Sequence, residues 1–170
     1  IEPTHGTAQA AREKGIEIDE EFFGIDVASR LVKQGRQADL MIANNVLAHV
    51  PDINDFVQGF SILLKPNGIA TFEFPHVLNL MNNNQFDTIY HEHYSYLSFS
   101  AVYNIFGFNG LTVFDVEQIP THGGSLRVYA QLSDSGSYKV NTNVADLKEK
   151  ENRAGINKIN TYRGFQKQVE

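Results

Sequence analysis

Apolar and polar positions along these 170 residues fall into short blocks whose period switches between helical and extended. "TAQAAREK" (residues 7–14) is rich in helix formers and is closed by Gly15, a suitable C-cap. "IEIDEEFF" reads as a short strand running into a loop. "DVASRLVKQGR" reads as a helix that turns Val27, Leu31 and Val32 inward before Gly35 stops it. "ADLMIANNV" predicts a buried strand, because Leu40, Met41, Ile42 and Ala43 form an unbroken apolar run. Pro51 and Asp52 open the next helix, whose stripe is Ile53, Phe56, Val57, Phe60, Leu63 and Leu64, with "KPNG" as its closing turn. "IATFEF" is the following strand, stopped by Pro75.

Strands and helices alternating through short connections indicate right-handed βαβ units around a mostly parallel sheet. Further on the pattern changes. "SFSAVYNIFGFNG" predicts a helix with Gly110 near its end, and "LTVFDVE" and "SLRVYAQL" predict two strands. The seven residues of "QIPTHGG" between them are too few for a parallel crossover, so these strands should pair antiparallel. The expected fold is α/β over residues 1–142, a mostly parallel sheet finished by an antiparallel pair. Residues 143–170 are expected to be helical and to lead out of the domain, with apolar positions at Val144, Leu147, Ile156, Ile159, Tyr162 and Phe165. In such sheets ligands sit at the carboxyl ends of the strands. That rule brings Glu2, Asn44, Asn45, the segment after Phe74 and the "QIPTHGG" loop to one edge.

A formal charge of −6 argues against nucleic acid or an acidic membrane as partner. With no cysteine there is no disulfide and no thiolate zinc site in these residues, a usage that suits a cytoplasmic protein. No apolar run approaches the ~20 residues of a membrane span, and no signal peptide opens the chain. The chain begins at Ile1 rather than Met, and "IEPTHG" reads as a strand end already leaving a sheet. A piece of a longer protein is therefore expected.

"FDTIYHEHYSYLS" (residues 86–98) carries the densest chemistry, with two histidines around one acid among three tyrosines. A metal clip, a proton-transfer site and a plain polar loop are the competing readings. His91 and His93 can share a face, but two ligands do not close a metal site, and Ser95 stands where H-E-x-x-H needs its second histidine. No metal is expected. Histidine can remove a carbon-bound proton near neutral pH, a tyrosine hydroxyl can hold charge growing on a ketone oxygen, and a glutamate can orient the imidazole. Gly123 and Gly124 allow close backbone approach to a ligand. Arg127 can reach a diphosphate or simply pair with an acid. Residues 82–85 (Asn-Asn-Asn-Gln) can read hydroxyls or be a polar loop.

"IEP", "GIEI…FF", "NNVLAHVPD", "LLKPNG", "FEFP", "FDTIYHEHYSYLS" and "THGGSLRVY" together resemble the S-adenosylmethionine-dependent sugar C-methyltransferases of deoxysugar biosynthesis. The resemblance covers most of residues 1–135. It implies a class I methyltransferase sheet, Rossmann-like, whose first strand and glycine-rich turn are missing from these residues. Also missing are the N-terminal zinc module and the C-terminal Rossmann-like domain that accompany such domains. S-adenosylmethionine is the implied cofactor and a nucleotide-diphospho-4-keto-6-deoxy sugar the implied substrate. The implied catalytic residues are Tyr90 on the ketone oxygen, His93 as base and Glu92 in support. Glu2 would hold the cofactor ribose, with Phe22, Phe23, Asn44 and Asn45 completing that site, one of the two phenylalanines being expected in the core. Asn83, His91, His122, Ser125 and Arg127 would line the substrate pocket. An O- or N-methyltransferase, or a non-catalytic domain of the same fold, remains the alternative, and oligomeric state is left open.

Overall fold

A four-stranded sheet organises residues 1–170, all of which the computed structural model describes. Its strands are β1 (Ala38–Asn44), β2 (Leu64–Pro75), β3 (Leu111–Ile119) and β4 (Ser125–Leu132), in the order β1-β2-β4-β3. β1 runs parallel to β2, with Asn44 beside Glu73. β4 is antiparallel to both β2 and β3, so Pro75, Ser125 and Ile119 lie side by side. The α/β class and the antiparallel terminal pair agree with the sequence pattern. The sheet itself is mixed, with one parallel ladder and two antiparallel ones.

The core lies on one face of this sheet. Helices α3 (Ile53–Leu63), α5 (Phe99–Phe108) and α6 (Thr142–Arg153) cover it, and α2 (Ile25–Lys33), which follows α1 (His5–Glu13) in the chain, packs on α3. Phe72 and Phe74 alternate inward along β2 beside Leu126 and Val128 of β4. Phenylalanine rings run on from there: Phe23 to Phe60 at 5.2 Å, Phe60 to Phe72 at 4.5 Å, and Phe72 to Phe106 at 4.5 Å between centroids. These are the separations of favourable edge and tilted aromatic pairs. Val144 and Leu147 of α6 join the same core, so this helix docks on the domain. Beyond it, α7 (Ile159–Arg163) and α8 (Phe165–Val169) follow, and Ile156 and Phe165 pack against α4 (Val77–Asn82).

Three local expectations are corrected. Leu40 and Ile42 are 56% and 62% exposed rather than buried. β1 is an edge strand, and an apolar run alone does not distinguish an edge from a centre. "IEIDEEFF" forms no ladder. It is irregular backbone held by bonds from the Glu2 N–H to the Asp19 carbonyl and from the Ile16 N–H to the Ala11 carbonyl, and by ion pairs from Arg12, Arg30 and Arg36 to Glu20, Asp19, Glu21 and Glu17. "KPNG" does not close α3 as a turn, because α3 (followed by Leu64 in extended geometry) runs straight into β2. Ala38 then pairs with Leu64 and Leu40 with Ile69, so Lys65–Gly68 bulge out of the ladder.

Candidate active site

At the carboxyl edge of β1 and β2, a short 3-10 turn (Leu47–His49) receives the loop between α4 and α5. The N–H groups of Tyr94 and Ser95 both donate to the Ala48 carbonyl, at 2.9 and 3.3 Å. Docking there folds the loop back on itself and gathers its rings. His93 lies 4.4 Å from Tyr90, 4.7 Å from His49 and 5.7 Å from Tyr96, centroid to centroid. His93 Nδ1–H donates to the Thr88 carbonyl at 3.0 Å, and His49 Nδ1–H donates to the Glu92 carbonyl at 3.1 Å. Carbonyls only accept, so each neutral ring carries its proton on Nδ1 and keeps a lone pair on Nε2. The imidazole of His93 is thus oriented by a backbone carbonyl, not by the Glu92 carboxylate. Glu92 and His91 are exposed, as is Tyr90 at 44%.

A second feature lies across the Asn45–Val50 segment. An apolar cleft of about 350 Å³ is lined by Ile1, Glu2, Phe22, Met41, Ile42 and Val46 among others. Glu2 is half-buried there, with one carboxylate oxygen accepting from the Thr4 N–H at 2.8 Å. Phe22 is 83% exposed, whereas Phe23 packs edge-on against Phe56 and Phe60 in the core. Asn44 is exposed at the end of β1. Asn45 sits in the left-handed region (φ 55), a conformation that asparagine tolerates better than most residues, and its N–H donates to the Glu73 carbonyl at 2.7 Å. Its side-chain oxygen is buried without a donor.

Residues read as substrate contacts are dispersed. Ser125 is fully buried, and its hydroxyl donates to the Thr121 carbonyl at 2.9 Å, closing the turn between β3 and β4. Arg127 pairs with Glu73 at 3.0 Å and approaches Glu117 at 3.9 Å. Glu73 is 5% exposed and also accepts from the Thr121 hydroxyl. Burial pushes its carboxyl up, but the Arg127 and Thr121 hydrogen bonds and the Arg127 charge outweigh this and hold it below the usual range. His122 and Asn83 are exposed, the former at φ 50. Gly123 and Gly124, at φ 76 and 116, face protein rather than open space. A Cβ on them would come within 2.3 Å of the Gln85 amide and 2.5 Å of the Asn79 amide, respectively.

A methyltransferase-domain family model matches residues 4–116, about two thirds of the chain. The chain belongs to that family. A model of the C-methyltransferase C-terminal domain matches residues 120–170. The chain is 35% identical over 165 residues to the C-methyltransferase NovU of Streptomyces niveus, covering 97% of this chain and spanning 39% of that relative's length. A solved S-adenosylmethionine-dependent methyltransferase from Thermotoga maritima shares the fold at a TM-score of 0.56 and 13% identity, over 76% of this chain and 70% of that one. A Listeria monocytogenes protein described as a methyltransferase of the same kind gives 0.53 at 10% identity, over 76% and 77%.

Three residues of the chain were given no role by sequence reasoning. His49 lies 43 positions before its hydrogen-bond partner Glu92, although "NNVLAHVPD" carried a hint in a lone histidine just after a strand. His76 and Glu151, 75 positions apart, are both buried and hydrogen-bonded at 2.7 Å. Nothing in their local sequence marks them. No three histidine or acidic side chains converge as a metal ligand set, and no helix is long and apolar enough to cross a membrane.

Proposed function

We propose that this chain forms the reaction core of an S-adenosylmethionine-dependent C-methyltransferase acting on a nucleotide-diphospho-4-keto-6-deoxy sugar. The identity to a C-methyltransferase and the match to a C-methyltransferase C-terminal domain support methylation at carbon. The observation that carries the reading is His93, whose Nδ1–H is fixed on the Thr88 carbonyl while Nε2 stays free beside Tyr90. A positioned neutral imidazole next to a phenol suits removal of a proton from carbon beside a ketone. A cytoplasmic setting belongs to the same reading, in keeping with the absence of cysteine.

The cleft suits the cofactor in part. Glu2 offers a free carboxylate oxygen for a ribose diol and Phe22 an exposed ring for adenine. Asn44 and Asn45 lie outside the cleft lining, Asn45 with a buried side-chain oxygen that lacks a donor. When bound, S-adenosylmethionine supplies an electrophilic methyl carbon. The residues of the chain do the rest. His93 Nε2 takes the proton, the C–H electron pair moves into the ring as a C=C bond, and the carbonyl pair moves onto the ketone oxygen. The Tyr90 hydroxyl donates to that oxygen while the charge is present. With the cofactor bound, the C–C bond would form to its methyl carbon as the methyl–sulfur bond broke and its pair left with the demethylated cofactor. The ketone would be restored, and His93 would pass its proton to solvent. Glu92, exposed at the mouth of the loop, is assigned to a substituent of the sugar.

The test uses the full-length protein without cofactor, incubated with a thymidine-diphospho-4-keto-6-deoxy sugar in D₂O. Enzyme-dependent deuterium entry at one carbon flanking the ketone, lost in His93→Ala, is the expected result. No exchange above the protein-free rate, with or without the demethylated cofactor product bound, transfers the assignment to an O- or N-methyltransferase.

A further inference from the structure

Glu151 has no place in the chemistry above, yet its side chain is fully buried. One carboxylate oxygen accepts from His76 Nε2–H at 2.7 Å and from the Phe99 N–H at 2.5 Å. The other accepts from the N–H and the hydroxyl of Ser100, at 2.7 and 2.6 Å. The donors belong to two segments that frame the reaction loop. Phe99 and Ser100 are the first residues of α5, and the loop ends at its N-cap, Ser98, whose own hydroxyl oxygen accepts from the Ala101 N–H. His76 directly follows β2. Its N–H donates to the Gly124 carbonyl, and the next N–H, of Val77, donates to the Leu97 carbonyl. A carboxylate delivered from α6 therefore satisfies the first free N–H groups of α5, where negative charge is favoured. It also ties them to the end of β2 and so to the "THGG" turn.

We infer that Glu151, with His76 as its donor, is a positioning residue that fixes the exit of the Tyr90–Ser98 loop and so the aim of His93. Only four residues separate His93 from Ser98, so a shift at Ser98 has little slack to absorb it before reaching the imidazole. The carboxyl is also held below its usual range. Burial acts first and pushes it up, but the bonds from His76, Ser100 and Phe99 outweigh burial, so it is an anion in the folded protein. Glutamine at this position would set amide hydrogens against the Ser100 donors, whereas glutamine in place of His76 would keep one N–H for the carboxylate.

The inference rests on the proposed proton abstraction for its kinetic readout and has a second readout that does not. In the full-length protein, Glu151→Gln and His76→Leu should each lower kcat about tenfold. They should also enlarge the deuterium isotope effect for substrate labelled beside the ketone, and His76→Gln should restore both. A purely structural role lowers the folded fraction and leaves the isotope effect per active site unchanged, which would overturn the assignment. Hydrogen exchange read by mass spectrometry across residues 89–98 gives the independent arm. Faster exchange there in His76→Leu than in His76→Gln is expected whichever substrate is correct. Equal exchange in the two refutes the positioning role even if Glu151→Gln fails to fold. Absence of turnover by the unmodified protein, by contrast, counts against the substrate reading alone.

Discussion

His49 and His93 stand ring against ring, 4.7 Å apart, each with its Nδ1–H committed to a different backbone carbonyl. The Glu92 carbonyl that holds His49 belongs to the residue preceding His93, so the two imidazoles are locked by one short stretch of chain. Neither Nε2 atom has a hydrogen-bond partner within the protein, and in the proposed reaction His93 is the base while His49 packs against it.

His93→Ala should reduce turnover by about 10²–10⁴, the usual worth of a general base. His49→Ala should cost about tenfold, because it removes packing against His93 while the Thr88 bond survives. Steady-state rates of both variants decide this. A His49 loss as large as that of His93 would mean that the base has been assigned to the wrong ring.

The turn between β3 and β4 is built for close packing. Gly124→Ala forces a side chain into a conformation at φ 116 and onto the Asn79 amide, and should cost about 1–3 kcal/mol. Ser125→Ala removes the donor to Thr121 inside the protein and should cost about 1 kcal/mol. Urea midpoints at constant slope measure both. Ser125→Ala should leave the KM for nucleotide sugar unchanged, and a rise would place the hydroxyl on the substrate instead.

Arg127 pairs with Glu73 across neighbouring strands, the ion-pair reading that its place in a strand allowed. Arg127→Gln should raise the Glu73 pKa toward the ordinary carboxylate range, since burial then acts with less opposition. Carbon-13 titration of the Glu73 carboxyl reads the shift directly. A large KM increase for nucleotide sugar with no change at Glu73 would reverse this assignment.

Much of the fold was legible because period and turn chemistry are local properties. The stripe from Ile53 to Leu63 and the antiparallel pairing implied by the short link before Ser125 needed no distant partner to be read. β3 does run two residues further, to Ile119, than the sequence pattern marks. Exposure of Leu40 and Ile42 was not legible, since burial of a strand face depends on whether a neighbour lies beyond it. The same division runs through the site. The "YHEHYSYLS" stretch announces itself by crowding titratable rings into nine positions. The carbonyls of Thr88 and Glu92, which fix the tautomers, carry no sequence signal because every residue has one. Glu151 reads as one more acid on a polar helix until α6 is docked and turns it inward.

Acid stability should follow Glu151. Its folded-state pKa lies below the ordinary value near 4.5, so it contributes stability that is fully present above that value and is lost as pH falls through the folded pKa. Glu73 is shifted in the same direction and adds to the same loss. The protein should therefore weaken steeply once the pH drops below about 4.5, with the unfolded chain taking up protons that the folded one resists. Glu151→Gln should be less stable than the unmodified protein at neutral pH, where four donors lose their anion. The gap between the two should then narrow as the pH falls, because protonation removes the same anion from the unmodified protein. Urea unfolding of the two proteins across the acid range measures that gap. A gap that stays constant down to acid pH would mean that the Glu151 carboxyl has the same pKa folded and unfolded, and that the bonds from His76, Phe99 and Ser100 favour the anion no more than water does.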